Sequence, residues 1–160
     1  ELSTILPGAI LGPVLEEDFG TSANIVIKTL DGSMPAIPDI GFDMVDVRSV
    51  AQLLILAMQK PEAAQQRYAA SAGFMKFKSV VEVLRQAYPH LKFPSVVLPD
   101  FAVRLFANFD RTLKPVLLDL GVERKIDSTK AKTQLGWRPI PAEEAILACA
   151  ESVLKVGIVK

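Results

Sequence analysis

Residues 2–13 limit the possible folds of this chain more than any other segment. They form an aliphatic and β-branched run that stops at Pro7-Gly8 and resumes before Gly12-Pro13. Proline removes a backbone donor and fixes φ, so Pro7 suits the carboxyl end of a strand, and Gly8 lets a flat ring approach the backbone closely. Ligands of α/β sheets bind at the carboxyl ends of strands. The run therefore predicts a buried strand leading into a ligand-facing turn, although a purely structural turn has the same pattern.

Strand-like and helix-like segments alternate along the rest of the chain, which is typical of an α/β protein. Apolar residues at helical spacing predict helices over residues 22–30, 47–59, 77–88, 129–135 and from 141 onward. Short apolar or alternating runs predict strands over residues 42–47, 66–71 and 95–98, and an edge strand over 123–127. Residues 100–120 are the most hydrophobic section and predict two helical pieces, split near Asp110, that form either core or a lid over an apolar substrate.

Polar residues mark where three of these helices begin. Asp46 precedes helix 47–59, and Thr21 or Ser22 opens helix 22–30, so each can accept a hydrogen bond from a free amide of its helix. Ser79 and Glu82 have the spacing of a capping box. Helix 47–59 is apolar on nearly every face, and we therefore expect other elements to cover it on several sides.

The composition excludes several classes of partner. The 18 basic and 18 acidic residues cancel, which gives no electrostatic reason to expect nucleic acid or an anionic membrane as a partner. The apolar run over residues 53–58 is far shorter than the ~20 residues of a membrane-spanning helix, and no secretory leader opens the chain. Cys149 and His90 are each single, which argues against a disulfide, a cysteine-based zinc site and a Cys-His catalytic pair. We predict a cytoplasmic protein without a metal site.

Five motifs follow one another in a fixed order along the chain. They are Pro-Gly-Ala-Ile-Leu-Gly-Pro at 7–13, Thr-Ser-Ala at 21–23, Asp-Met-Val-Asp-Val-Arg-Ser-Val-Ala at 43–51, Arg-Tyr at 67–68 and Gln-Leu-Gly-Trp-Arg-Pro at 134–139. This series resembles the carboxyl-terminal part of the extended short-chain dehydrogenase/reductases, within the NAD-dependent epimerase/dehydratase superfamily. It looks most like the branch of dihydroflavonol reductases, cinnamoyl-CoA reductases, 3β-hydroxysteroid dehydrogenases and aldehyde reductases. The resemblance implies the last strands and helices of a Rossmann-type α/β fold with a small, mostly helical substrate-binding cap.

The same resemblance implies a site for NADP, or NAD, at the opening turn. The positions that contact the nicotinamide end and the phosphates in this branch correspond here to Pro7, Ile10 and Ser22. A helix amino terminus binds anions readily, which suits Ser22, although a plain helix cap would look identical in sequence. Asp46 and Arg48 fall in a segment beside the family's substrate cleft and are the candidate substrate-binding residues. An Asp that caps a helix and pairs with an Arg across its first turn is the competing structural interpretation.

The residues that carry out proton and hydride transfer in the family are missing from this sequence. Its nine glycines never form the phosphate-binding fingerprint G-x-G-x-x-G. Tyr88 and Lys92 have the Tyr-x-x-x-Lys spacing of the family's catalytic pair, but Pro89 breaks the helix that would align them. We therefore expect no catalytic residue in this chain. We interpret residues 1–160 as the substrate-binding carboxyl-terminal domain of a longer reductase whose amino-terminal Rossmann half is absent, and we expect this part alone to be inert.

Three functions stay open at this point. The first is NADP(H)-dependent reduction of a small, apolar ketone or aldehyde, and the second is a non-catalytic dinucleotide-binding or regulatory role of the same fold. The third is a nucleotide-sugar epimerase or dehydratase, which is disfavoured because Phe42 stands where those enzymes have a diphosphate-binding arginine. A missing amino-terminal half would leave the opening strand and helix 47–59 uncovered. We therefore also predict a homo-oligomer, or a partner over that apolar face.

Overall fold

A six-residue strand, β4 (Gly41–Asp46), lies at the centre of the fold. This computed structural model describes three stretches of the chain, residues 2–16, 19–106 and 115–159. Strand β4 pairs in parallel with β2 (Ala9–Leu11) and antiparallel with β6 (Gly73–Lys76). Adjacent residues Met44 and Val45 are both fully buried, and each belongs to a different core cluster. Because successive strand residues point to opposite faces, this sheet is covered on both sides.

The predicted opening strand is two short strands that meet at Gly8. The first, β1 (Thr4–Pro7), pairs in parallel with β5 (Arg67–Ala70). The Gly8 amide donates to the carbonyl of Ala70 at 3.0 Å, after which the chain enters the register of β4. The strand is less buried than the sequence predicts, since Leu6 is 48% exposed.

Helices pack on both faces of these strands. They are α1 (Asn24–Leu30), α2 (Val47–Gln59), α3 (Phe77–Ala87), α4 (Asp100–Phe106), α5 (Thr129–Leu135) and α6 (Ala142–Val156). On one face, α1, α3 and α6 surround Met44, while α2 and α5 pack with Val45 on the other. A third cluster joins α3 and α4 to a two-residue parallel pair, β3 (Ile37–Pro38) with β7 (Val97–Leu98). This arrangement confirms the predicted α/β class.

Two of the predicted helix caps are wrong. A 3-10 turn, Thr21–Ala23, precedes α1 with Gly20 at its cap position, and no side chain caps either element. Helix α3 already begins at Phe77, so Ser79 lies inside it rather than at its start. The structure confirms the predicted cap at Asp46, because the carboxylate of Asp46 accepts a hydrogen bond from the amide of Arg48 at the start of α2. In both cases the last extended residue lies before the predicted cap, at Gly20 and at Lys76. The helical turns therefore begin earlier than the capping pattern predicts.

Residues 123–127 do not form the predicted edge strand. The amide of Ile126 donates to the carboxylate of Asp43 at 2.9 Å, so a side chain takes the place of a strand ladder. Strand β6 was not predicted from the sequence. The split predicted near Asp110 lies outside the described residues, between α4 and a 3-10 turn at Pro115–Leu118.

Helix α2 is covered on one side only, contrary to the prediction that several sides are buried. Leu53 is fully buried and Ser49 is 2% exposed, whereas Leu54, Ile55 and Met58 are 47%, 53% and 86% exposed. The prediction that this helix and the opening strand leave apolar surface uncovered is therefore confirmed. No helix in the described stretches is long and apolar enough to cross a membrane.

Cys149 on α6 gives a prediction about alkaline pH. It is fully buried, and burial raises the pKa of its thiol from 9.0 to about 11. Between these values the unfolded chain loses the thiol proton while the folded chain keeps it, so this contribution to the free energy of unfolding is complete below pH 9 and disappears towards pH 11. We expect Cys149→Ala to show a shallower alkaline loss of stability. Urea unfolding at about pH 8 and about pH 10.5 tests this, and identical losses for both proteins would contradict it.

Candidate functional site

The predicted site residues lie along β1, β2 and β4: Pro7 ends β1, Ile10 is the middle residue of β2 and Asp46 ends β4. Leu11 pairs with Asp46, so β2 and β4 end side by side. Pro7 is exposed at the end of β1, and Ile10 is 37% exposed beyond the turn. The turn is therefore open to solvent, as a ligand contact requires, and it is not sealed in the core.

Gly8 holds this turn directly against the backbone of β4. A Cβ atom at Gly8 would lie 2.3 Å from the carbonyl oxygen of Asp43 and 2.9 Å from its carbonyl carbon. Only glycine permits so close an approach, because real Cβ contacts with backbone atoms are wider. The position of Pro7 at the carboxyl end of β1 is thus fixed by contact between two backbones, together with the hydrogen bond from Gly8 to Ala70.

Ser22 lies in the 3-10 turn Thr21–Ala23, which packs against β2. Its side chain is half-buried, and the described residues provide no hydrogen-bond partner for its hydroxyl. The neighbouring Asn24 amide group donates to the carbonyl of Thr21 instead. Ser22 is therefore close to the strand that carries Ile10, and its hydroxyl does not serve as a helix cap.

Asp46 and Arg48 form a closed pair at the end of β4. Asp46 is fully buried; its Oδ1 accepts from the amide and Nε of Arg48 at 2.8 and 2.9 Å, and its Oδ2 accepts from Nη2 at 2.7 Å. These hydrogen bonds raise the pKa of Arg48 above its ordinary value. Because Arg48 and the helix start occupy both carboxylate oxygens, Asp46 acts as a cap and an anchor in this structure. The Arg48 side chain is 51% exposed and is the member of the pair that a ligand could reach.

The structure also contains a buried polar network around Asp43, which the sequence motifs do not predict. Asp43 is 6% exposed, and its carboxylate accepts from the hydroxyl of Ser71 at 2.5 Å and from the amide of Ile126. The hydroxyl of Ser128 donates to the carbonyl of Ser71 at 2.9 Å. The network fixes residues 126–128 to the strand that supports Gly8. The acidic residue within the apolar run of β4 is the sequence signal that could have revealed it.

The Tyr-x-x-x-Lys spacing of Tyr88 and Lys92 has no helix to support it. Helix α3 ends at Ala87, and Tyr88 has a non-helical backbone with φ −127° and ψ 61°. Burial, followed by the charge of Glu151, raises the pKa of Tyr88, whereas a tyrosine acting in proton transfer near neutral pH needs a lowered one. The structure therefore agrees with the rejection of this pair as catalytic.

Other clefts between described residues lie elsewhere on the surface. One of about 200 Å³ is lined by Asp39, Phe74 and Lys76 among others, and a more open one of about 610 Å³ is lined by Lys132, Trp137 and Arg138 among others. Neither contains a predicted cofactor-binding residue. Within the described stretches, no group of three or more His, Cys, Asp or Glu side chains could hold a metal ion.

The fold and the open edge at the strand ends define an α/β protein of the Rossmann type, in which ligands bind at that edge. No protein-family profile matches the chain. A cinnamoyl-CoA reductase of Medicago truncatula is 30% identical over 138 residues, which cover 82% of this chain and 42% of that protein. This likeness confirms the resemblance to the extended short-chain dehydrogenase/reductases.

Among those structures, Gre2 of Candida albicans in complex with NADPH has a TM-score of 0.69 at 25% identity, over 96% of this chain and 44% of that chain. A nucleoside-diphosphate-sugar epimerase from Pseudomonas aeruginosa has a TM-score of 0.76 at 18% identity, over 98% of this chain and 49% of that chain. The second likeness concerns the fold alone. The chain spans less than half the length of each of these three proteins.

Proposed function

We propose that this chain is the substrate-binding part of an NADP(H)-dependent reductase of small, apolar ketones or aldehydes, and that it is inert alone. The observation that carries the proposal is the open turn at the sheet edge. Pro7 and Ile10 are exposed on the two sides of this turn. The 3-10 turn that contains Ser22 packs against β2, the strand of Ile10. The names of the relatives support the reaction class, since they include cinnamoyl-CoA reductases and a ketoreductase.

The residues at this edge fit the nicotinamide end of a dinucleotide. Pro7 at the carboxyl end of β1 and Ile10 in the short strand β2 offer exposed apolar surface for a flat ring. Ser22 is half-buried in the turn that packs on β2, and a serine hydroxyl can donate a hydrogen bond to a phosphate or a carboxamide oxygen. When bound, the dinucleotide supplies the hydride. Binding and orientation of the cofactor are the roles we assign to these three residues.

The substrate class follows from the side chains beside the edge. Phe42 is partly buried and packs against two of the core clusters, so it offers no guanidinium for a sugar diphosphate. Asp46 is occupied by Arg48, which leaves one exposed cationic side chain at this end of β4. Because Phe42 stands where a diphosphate-binding arginine would be needed, we propose an uncharged carbonyl compound rather than a nucleotide sugar. We also assign the protein to the cytoplasm.

The reaction class is tested by NADPH consumption with a panel of aromatic and aliphatic aldehydes and ketones. We expect no turnover by the 160-residue chain and carbonyl-dependent turnover by the product of the complete gene. Turnover by the chain alone would contradict the assignment of the catalytic residues to another segment. If the complete product binds NADPH without turnover on any carbonyl, the non-catalytic alternative is correct.

Ser22→Ala in the complete gene product tests the cofactor contacts. Loss of one hydrogen bond to a phosphate or carboxamide group should raise the KM for NADPH about tenfold, equivalent to about 1.4 kcal/mol, with little change in kcat. Thr21→Ala is the matched control, because Thr21 is an exposed neighbour in the same turn and has no assigned contact. Equal KM values for the two variants would show that Ser22 does not bind the cofactor.

A further inference from the structure

A buried side-chain hydrogen bond joins two strands that belong to different sheets. The hydroxyl of Ser71 donates to the carboxylate of Asp43 at 2.5 Å, and the two residues are 1% and 6% exposed. Ser71 directly follows β5, whereas Asp43 lies within β4. Because β5 pairs with β1 and β4 pairs with β2 and β6, the bond links the end of one sheet to the middle of the other.

Gly8 lies where the chain passes from one of these sheets to the other. The residue before it pairs with β5, and the residue after it pairs with β4. The amide of Gly8 donates to the carbonyl of Ala70, and its Cα side lies against the carbonyl of Asp43. Ser71 directly follows Ala70, so its bond to Asp43 connects the two contacts of Gly8. We call Ala70, Ser71 and Asp43 the Gly8 clamp.

Further hydrogen bonds fix the orientation of the groups that close the Gly8 clamp. The Oγ atom of Ser71 also accepts from the amide of Gly73 at 3.0 Å, and the second carboxylate oxygen of Asp43 accepts from the amide of Ile126 at 2.9 Å. A hydroxyl that both donates and accepts cannot rotate without losing a bond. The Ser71–Asp43 bond therefore has one geometry in the folded chain, and loss of either partner leaves a buried polar group unpaired.

We propose that Ser71 and Asp43 are positioning residues that hold the Gly8 turn against the nicotinamide end of the cofactor. This inference rests on the proposed function, in which Pro7 and Ile10 contact that ring from the two sides of the turn. Both positioning residues are buried, so they act through Gly8 and do not touch the cofactor. A shift of about 1 Å in a positioning element is enough to slow a reaction strongly. The clamp therefore affects the rate of hydride transfer more than the affinity for the cofactor.

Amide hydrogen exchange in the product of the complete gene tests the clamp itself. Ser71→Ala removes the donor, and we expect the Gly8 amide to exchange about tenfold faster or more, relative to the amide of Val153. Val153 is fully buried in α6 and serves as the internal reference for global stability. Ser49→Ala is the matched control, because Ser49 is 2% exposed and its hydroxyl accepts from the amide of Ile140, away from the clamp. The relative exchange at Gly8 should stay unchanged in this control.

Single-turnover oxidation of NADPH by the same variants tests the role of the clamp in the reaction. We expect Ser71→Ala to slow this step about tenfold while the Kd for NADPH changes by less than about threefold, because the cofactor still binds but its ring is less well oriented. Ser22→Ala should show the opposite pattern. Asp43→Asn keeps the size of the side chain but offers one acceptor oxygen to two donors, so it should act in the same direction as Ser71→Ala.

Circular dichroism verifies that each variant folds, and Asp43→Asn carries the test if Ser71→Ala does not. Unchanged exchange at Gly8 in the folded variants would overturn the clamp. Faster exchange with an unchanged rate of NADPH oxidation would overturn its positioning role, as would an equal loss of rate in Ser49→Ala. If the complete product oxidises NADPH with no carbonyl compound, the proposed function fails, and exchange at Gly8 still decides whether the clamp exists.

Discussion

Replacing Gly8 with alanine is expected to destabilise the chain by about 3 kcal/mol or more, because overpacking against atoms that cannot move is costly. The new methyl group would lie 2.3 Å from the carbonyl oxygen of Asp43. A flexible side chain could rotate away, but this obstacle is the backbone of β4, which is held on both sides by β2 and β6. The opening strand must therefore move, and the hydrogen bond from Gly8 to Ala70 must lengthen or break.

Gly20→Ala is the matched control for this substitution. A Cβ atom at Gly20 would meet no atom of the described residues within 4 Å, and its φ of −66° suits any residue. We expect a change within about 0.5 kcal/mol. Urea unfolding followed by circular dichroism measures both variants, and amide exchange at Gly8 reports the hydrogen bond directly. If Gly8→Ala and Gly20→Ala had the same stability, the close approach of the turn to β4 would be refuted.

The Gly8 turn also shows what could be predicted from the sequence. The pattern Pro-Gly after an aliphatic run was enough to place a strand end and an open turn there, because φ restriction and a missing donor are local effects. The break into β1 and β2 was not predictable. It depends on Ala70 and Asp43, which are distant in sequence and come together only in the folded sheet.

The same distinction explains the other successes and failures. Helix α2 and the Asp46 cap were predicted because periodicity and capping act within one or two turns. The prediction of an edge strand over 123–127 was wrong. The amide of Ile126 donates its hydrogen bond to the carboxylate of Asp43, which lies 83 residues away in the sequence. Likewise, the prediction that α2 is covered on several sides was wrong. The sequence shows how apolar a helix is, but it does not show which of its faces has a neighbour in the fold.

Replacing Trp137 with alanine is expected to cost about 3–5 kcal/mol, the usual range for a buried tryptophan. Trp137 is 1% exposed and packs in one cluster with Leu53, Tyr68 and Leu135. It also links two elements, because its indole nitrogen donates to the carbonyl of Ser49 in α2. The loss therefore combines a large cavity with a buried carbonyl that has lost its partner.

Trp137→Phe separates these two contributions. Phenylalanine fills most of the volume but cannot donate to Ser49, so we expect a smaller loss of about 1–3 kcal/mol. Unfolding must be followed by circular dichroism, since Trp137 is the only tryptophan of the chain and its fluorescence disappears in both variants. The link to Ser49 also fixes how α2 is rotated about its own axis. A phenylalanine variant as unstable as the alanine variant would mean that the hydrogen bond to Ser49, rather than packing, holds α2 in place.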